Sequence, residues 1–207
     1  MKITKKIIAT AAILLITSIF TTSLCVCAYD GLKNAKELQT KLLRLHIKAN
    51  SDSAEDQELK LKVRDAVLDC AEELFNGLQD ADEAGRAAAE HLETLKAAAI
   101  SEIQKNGYSY DVDIKIEKTY FPTKTYDNIV LPAGTYNALN IKIGAAAGQN
   151  WWCVLYPPVC LSGSIHSDKI TDAVSGDASD MIKKDKKIKI KFKIAEIVGK
   201  IGKKKGK

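Results

Sequence analysis

An α+β fold, with two helices packed on one side of a small, mostly antiparallel sheet, is what this sequence predicts, and three observations predict it. Apolar residues alternate with polar ones at Leu43, Leu45 and Ile47, and again at Tyr108, Tyr110, Val112, Ile114 and Ile116. A period of two is that of a strand with one buried face. Between these stretches the spacing turns helical, first through Leu59, Val63, Ala66, Val67, Cys70 and Leu74, then through Ala88, Leu92, Leu95, Ala99 and Ile103. The third observation is the order strand, helix, helix, then three strands, which stacks a helical layer on a sheet.

The elements follow in order. Residues 1–6 hold Lys2, Lys5 and Lys6, residues 7–20 are mostly apolar, and Val26 and Ala28 stand three and one before Tyr29. This is the pattern of a secretory signal, so residues 1–28 are expected to direct export and to be cleaved before Tyr29. A retained anchor is the alternative. Fourteen residues rise about 21 Å against roughly 30 Å of hydrocarbon, and the Thr21-Thr22-Ser23 run extends them poorly. Residues 30–40 are a polar lead-in with a turn or two of helix, and residues 42–49 are the first strand. Ser53 followed by Asp56 resembles a helix cap, with Glu55 and Asp56 near the positive end of the dipole.

Asn76-Gly77 closes the first helix, Asp80 or Asp82 opens the second, and Asn106-Gly107 ends it. Three strands are expected after the helices: 108–118, then 129–131 continuing into 135–143 across an interruption at Pro132-Ala133-Gly134, and 151–156, the last stopped by Pro157-Pro158. The folded domain is thus expected over 29–161. Residues 162–185, rich in Ser, Gly and Asp, read as a flexible linker. Residues 186–207 form a basic amphipathic tail that fits either a strand or a helix, and either an anionic membrane surface or the acidic body.

Charge divides the same way. The formal +5 of the 207 residues is made of +3 in residues 1–28, −8 in 29–180 and +10 in 181–207. A net acidic body is a poor nucleic-acid binder, so no nucleic acid is expected as a partner. With 46% hydrophobic residues there is apolar surface enough for one core, which excludes a disordered chain or a disulfide-dense miniprotein.

Cleavage leaves Cys70, Cys153 and Cys160. Cys153 and Cys160 lie across Pro157-Pro158 and are candidates for a disulfide in an oxidising compartment. Cys70, on the apolar side of a helix, reads as a buried thiol. Paired with a histidine, Cys153 is the one plausible nucleophile, but His91 faces solvent, His166 is in the linker, and no cysteine opens a helix. No ligand set suggests a metal, and no motif suggests a cofactor. Asn150-Trp151-Trp152-Cys153-Val154-Leu155-Tyr156-Pro157-Pro158 gathers both tryptophans and two of the four prolines. On a strand Trp151 and Trp152 point to opposite faces, so one fills the core and the other is offered to a neighbouring element or a partner.

At these residues a resemblance emerges. Residues 43–67, opening Leu43-Arg44-Leu45-His46-Ile47-Lys48-Ala49-Asn50-Ser51-Asp52, resemble the opening of the stage II sporulation protein R family. Phe121-Pro122-Thr123-Lys124-Thr125-Tyr126, Leu131-Pro132-Ala133-Gly134-Thr135-Tyr136 and residues 150–160 resemble its later motifs in the same order. The resemblance covers about 41–161, with a fainter echo at 189–198, and the very basic terminus departs from the pattern.

It implies a secreted, non-enzymatic signalling protein of endospore formation, acting between the forespore and mother-cell membranes. Its implied partner is a membrane-embedded aspartic protease of the mother cell, which then processes the precursor of sigma-E. Two partner-binding surfaces are expected. One holds His46, Asn50, Asp52, Asp56, Lys60 and Arg64, and the other Phe121, Pro122, Tyr126, Trp151, Trp152 and Pro157. The alternative is an exported cysteine-dependent hydrolase of the cell envelope.

Overall fold

The computed structural model describes residues 2–158, 160–161, 164–165 and 168–183. Helix α1 (Lys2–Lys41) leads into strand β1 (Leu43–Lys48), and α2 (Ala54–Leu74), α3 (Ala81–Glu90) and α4 (Leu92–Lys105) follow. Then come β2 (Val112–Phe121), the short pair β3 (Lys124–Tyr126) and β4 (Ile129–Leu131), β5 (Gly134–Ile143) and β6 (Asn150–Tyr156). After these lie β7 (Cys160–Leu161), β8 (Ser164–Ile165), α5 (Asp168–Ala173) and α6 (Gly176–Ile182).

The main sheet has the order β2-β5-β1-β6. β2 and β6 run antiparallel to their neighbours, as the sequence led one to expect. The central β1–β5 pair is parallel, with Leu45 opposite Leu139 and Ile47 opposite Ile141. The first strand therefore lies between two of the last, and the helices form the long crossover that parallel neighbours require. One face of this sheet presents Leu45, Ile47, Ile114, Leu139, Ile141 and Cys153 to the helices, where Leu59, Val63, Val67, Ala88, Leu95, Ala99 and Ile103 are all buried.

Ser53 caps α2 with its hydroxyl accepting from Asp56 N, and Asp80 caps α3 by accepting from Asp82 N and Glu83 N. These caps satisfy amides that a helix start leaves free. The second expected helix is interrupted at His91, whose backbone (φ −103°, ψ 24°) leaves the helical region. The ladder survives the break, because His91 N donates to Ala87 O and Leu95 N to His91 O. The apolar stripe thus runs on across it, which is why periodicity shows a single helix.

The sequence reading needs three corrections. The lead-in at 30–40 is the continuation of α1, whose Leu38 is buried. The stretch expected as a flexible linker holds α5 and α6, with Ile170, Ala178 and Ile182 fully buried and Ser175 capping α6. Helices of six and seven residues are too short for periodicity to declare them. The third concerns β1, which was expected to bury one face only. Its other face is covered at Arg44, where the β3–β4 hairpin packs; Lys183, just after α6, forms a bridge to Ile129 of that hairpin. The tail at 186–207 lies outside the described residues.

Candidate functional site

Arg44 sits at the centre of the covered face. Its side chain is fully buried, with Nε donating to Cys153 O (2.8 Å) and Nη2 to the Tyr126 hydroxyl (2.7 Å). Three rings surround its guanidinium, with centroids at 4.2 Å for Phe121, 4.9 Å for Tyr136 and 5.6 Å for Tyr126. Among the described residues no carboxylate pairs with it, and its Nη1 has no acceptor. The charge is held by ring faces and neutral oxygens, an arrangement suited to a planar, weakly hydrated cation. Burial pushes the Tyr136 hydroxyl up to about 12 against the opposing pull of Arg44, and raises Tyr126 for the same reason.

Next along β1, on the same face, is His46. Its ring stacks on Trp152 with centroids 4.0 Å apart and planes 7° from parallel, while Phe121 meets Trp152 edge-on at 4.8 Å. Nδ1 of His46 lies 2.8 Å from Asn140 Oδ1, and Nε2 lies 2.8 Å from Asn150 Oδ1. Asn140 Nδ2 donates to Thr119 Oγ1 (2.7 Å), which turns its oxygen toward the histidine and makes Nδ1 the donor. Tyr126 completes the link by donating to Trp152 O (3.1 Å). Trp152 and His46 remain half-buried and Asn150 is exposed, so a rigid aromatic platform borders solvent.

The other tryptophan lies on the helix side. Arg64 of α2 stands over Trp151 at 4.5 Å and is held in place by Asp65, with Nε to Oδ1 at 2.8 Å and Nη2 to Oδ2 at 3.0 Å. The two expected surfaces are thus re-sorted by the pleat. His46 joins Phe121, Tyr126 and Trp152 on one face, and Trp151 joins Arg64 on the other.

Beside Arg64, the loop from β1 to α2 is tied down by Asp56, only 4% exposed. Its carboxylate accepts from Asn50 Nδ2 (2.8 Å) and Ser51 Oγ (2.5 Å). Burial alone would raise its pKa, but these bonds and one from Tyr110 outweigh it and hold the carboxyl below its ordinary value. Asn50 also accepts from Ala145 N, and Gly148 packs so closely that a Cβ there would lie 2.0 Å from Ser51 O. Lys60 donates to Gln57 Oε1 and Gln149 O, and desolvation lowers its pKa.

Of the candidate residues, Asp56, Lys60, Phe121, Tyr126 and Pro157 are buried and serve the scaffold. Asp52 is exposed, and His46, Asn50, Arg64, Pro122, Trp151 and Trp152 are half-buried. Pro157 also lines an open groove of about 900 Å³ between the end of α2 and α5, where Asp69, Glu72, Glu73 and Asp172 outnumber Lys169. Sequence reasoning passed over Arg44, Asn140, Gly148 and Tyr110. Arg44 alone carried a signal, as a cation directly between two apolar positions of a strand, Leu43 and Leu45.

Cys153 is buried and disulfide-bonded, whereas Cys70 is a free, half-buried thiol that burial pushes up. The side chain of Cys160 lies outside the described residues. Among the described residues no three His, Cys, Asp or Glu side chains gather as a metal site.

Comparison with known proteins bears on the same stretch. The family model for stage II sporulation protein R (Spore_II_R) matches residues 39–166. The chain belongs to this family. Stage II sporulation protein R of Bacillus subtilis (strain 168) is 38% identical over 137 residues, covering 66% of this chain and 61% of the relative. The chain therefore spans less than two thirds of that relative's length. No solved structure matches. The matched segment begins in the last turn of α1 and takes in the Arg44 box, the Asp56 loop and both tryptophans. Membership gives the chain a role in sporulation, and the apolar α1 is compatible with a signal sequence.

Proposed function

We propose that this chain is an exported, non-enzymatic activator. It works in the space between forespore and mother-cell membranes and engages a membrane-embedded aspartic protease of the mother cell, which then processes the sigma-E precursor. Family membership supports the pathway. The observation that carries the binding reading is the His46–Trp152 stack. Both rings are half-buried, and Asn140, Asn150, Phe121 and Tyr126 hold them, so a partner meets a preformed aromatic surface and little side-chain entropy is lost on docking. Binding the protease's active arrangement more tightly than its inactive one would shift the population toward activity.

The hydrolase alternative needs a free thiolate at Cys153. A sulfur already in a disulfide has none to offer, which favours the activator. The test is co-expression of the full chain with the protease and the sigma-E precursor in a non-sporulating host. Trp152→Ala is expected to abolish processing while circular dichroism shows the chain still folded at the assay temperature, although the lost packing on His46 and Phe121 lowers its melting temperature. Processing that persists at wild-type level with Trp152→Ala would remove this face from the mechanism.

A further inference from the structure

The groove between the end of α2 and α5, about 900 Å³ in volume, has walls of two kinds. Its rim carries Asp69, Glu72 and Glu73 from α2 and Asp172 from α5, all exposed. Among the described residues none of these four carboxylates is in an ion pair. The apolar wall holds Phe75, Leu78, Tyr156 and Pro157. Tyr156 is fixed there, donating from its hydroxyl to Leu78 O at 3.0 Å and meeting Phe75 edge-on at 6.3 Å. Negative charge reaches this wall too: burial first, then the charges of Asp80 and Glu83, push the Tyr156 hydroxyl up.

The complement to such a groove lies in the same chain. Residues 184–207 hold 11 Lys against Asp185 and Glu196, a net +9, while residues 29–180 carry −8. From Lys187 to Ile194, Lys alternates with Ile or Phe. Extended, this segment sets its four lysines on one side about 6.6 Å apart, with Ile188, Ile190, Phe192 and Ile194 on the other. Asp69 and Glu73 are four residues apart on α2, a rise of about 6 Å, so successive lysines match carboxylates one turn apart. The groove is within reach. α6 packs on α5, the described residues end at Lys183, and the remaining chain extends up to about 80 Å.

We infer that residues 187–194 dock in the α2–α5 groove, with their lysines toward Asp69, Glu72, Glu73 and Asp172 and their apolar side chains toward Phe75 and Tyr156. Exposed ion pairs are individually weak, but a tethered segment meets the groove at an effective concentration of order millimolar, and several pairs act together. Docking sets the charge of the tail against that of the body and withdraws its lysines from an anionic bilayer. It also covers Pro157, closing this end of β6 to another protein while the tail is in place.

The experiment uses the full chain, joined by a carbodiimide that links lysine amines directly to carboxylates, with the linked peptides identified by mass spectrometry. In about 0.1 M salt, Lys187–Lys193 are expected to link to the groove carboxylates about fivefold more than to exposed Glu55, Glu90 and Glu117, and this preference should vanish in about 1 M salt, where screening acts within about 3 Å. Amine acetylation gives a second readout on Glu72→Gln combined with Glu73→Gln and Asp172→Asn, three exposed positions whose replacement leaves circular dichroism unchanged. Lys187–Lys193 should be acetylated about threefold faster in this variant than in wild type, while Lys203–Lys205 keep one rate in both. Links spread evenly over the control carboxylates, or equal acetylation in variant and wild type, would overturn the inference. So would links confined to a dimeric product, which place the tail on a second copy. Protection of the lysines seen only when phosphatidylglycerol vesicles are added would assign the tail to a bilayer and overturn it as well.

Discussion

Replacing Asp56 by alanine removes the carboxylate that holds the β1–α2 loop. Two of its donors, Asn50 Nδ2 and Ser51 Oγ, are part-buried and lose their acceptor, while the Ser53 hydroxyl still accepts from the backbone N–H at position 56. A hydrogen bond to a charged group contributes about 1.5–3 kcal/mol, and both donors regain some water, so the loss is about 3 kcal/mol at pH 7. With a urea slope of about 1–3 kcal/mol per molar, the midpoint falls by about 1–3 M.

The pH dependence has a definite sign. Asp56 is depressed in the folded state, so its contribution is fully present above the unfolded value of about 3.9 and is lost as pH falls through the folded value. The gap between wild type and Asp56→Ala should therefore be widest at neutral pH and close on acidification. Urea unfolding followed by Trp fluorescence from pH 7 down to pH 2 measures it. A gap below about 1 kcal/mol at pH 7, or one unchanged at pH 2, would refute the account of this loop.

Further outcomes follow from other contacts. Gly148→Ala drives a Cβ into the Ser51 carbonyl and should cost about 1–3 kcal/mol, whereas Gly85→Ala in α3 meets nothing within 4 Å and should stabilise by about 0.5–1 kcal/mol. Thermal melts compare the two directly. A double-mutant cycle of Arg64→Ala and Trp151→Leu, which removes the aromatic face, should return a coupling of about 0.5–1 kcal/mol in urea unfolding, since the cation lies 4.5 Å over a half-buried ring. Cys153→Ser should lose about 2–5 kcal/mol with its disulfide, and Cys70→Ser should change stability by less than about 1 kcal/mol, as denaturation under non-reducing conditions will show.

Much of this fold was legible in the chain alone, because strands and helices declare themselves through spacing within ten or twenty residues. The alternation around Leu45 and the stripe from Leu59 to Leu74 announced β1 and α2, and Ser53 and Asp80 marked helix starts by local chemistry. Family motifs were legible for the same reason, and so was the division of Trp151 and Trp152 between two faces of a strand. Tertiary structure decided what depends on residues far apart in sequence. It made β1 and β5 parallel neighbours, closed aromatic rings around Arg44, and brought His46 of β1 against Trp152 of β6 and Asn140 of β5. It also buried Asp56 and Lys60, which a local reading places among exposed candidates. A side chain's periodicity reports which face it points to. Whether that face meets solvent, a ring or a donor is set by chain returning from a hundred residues away.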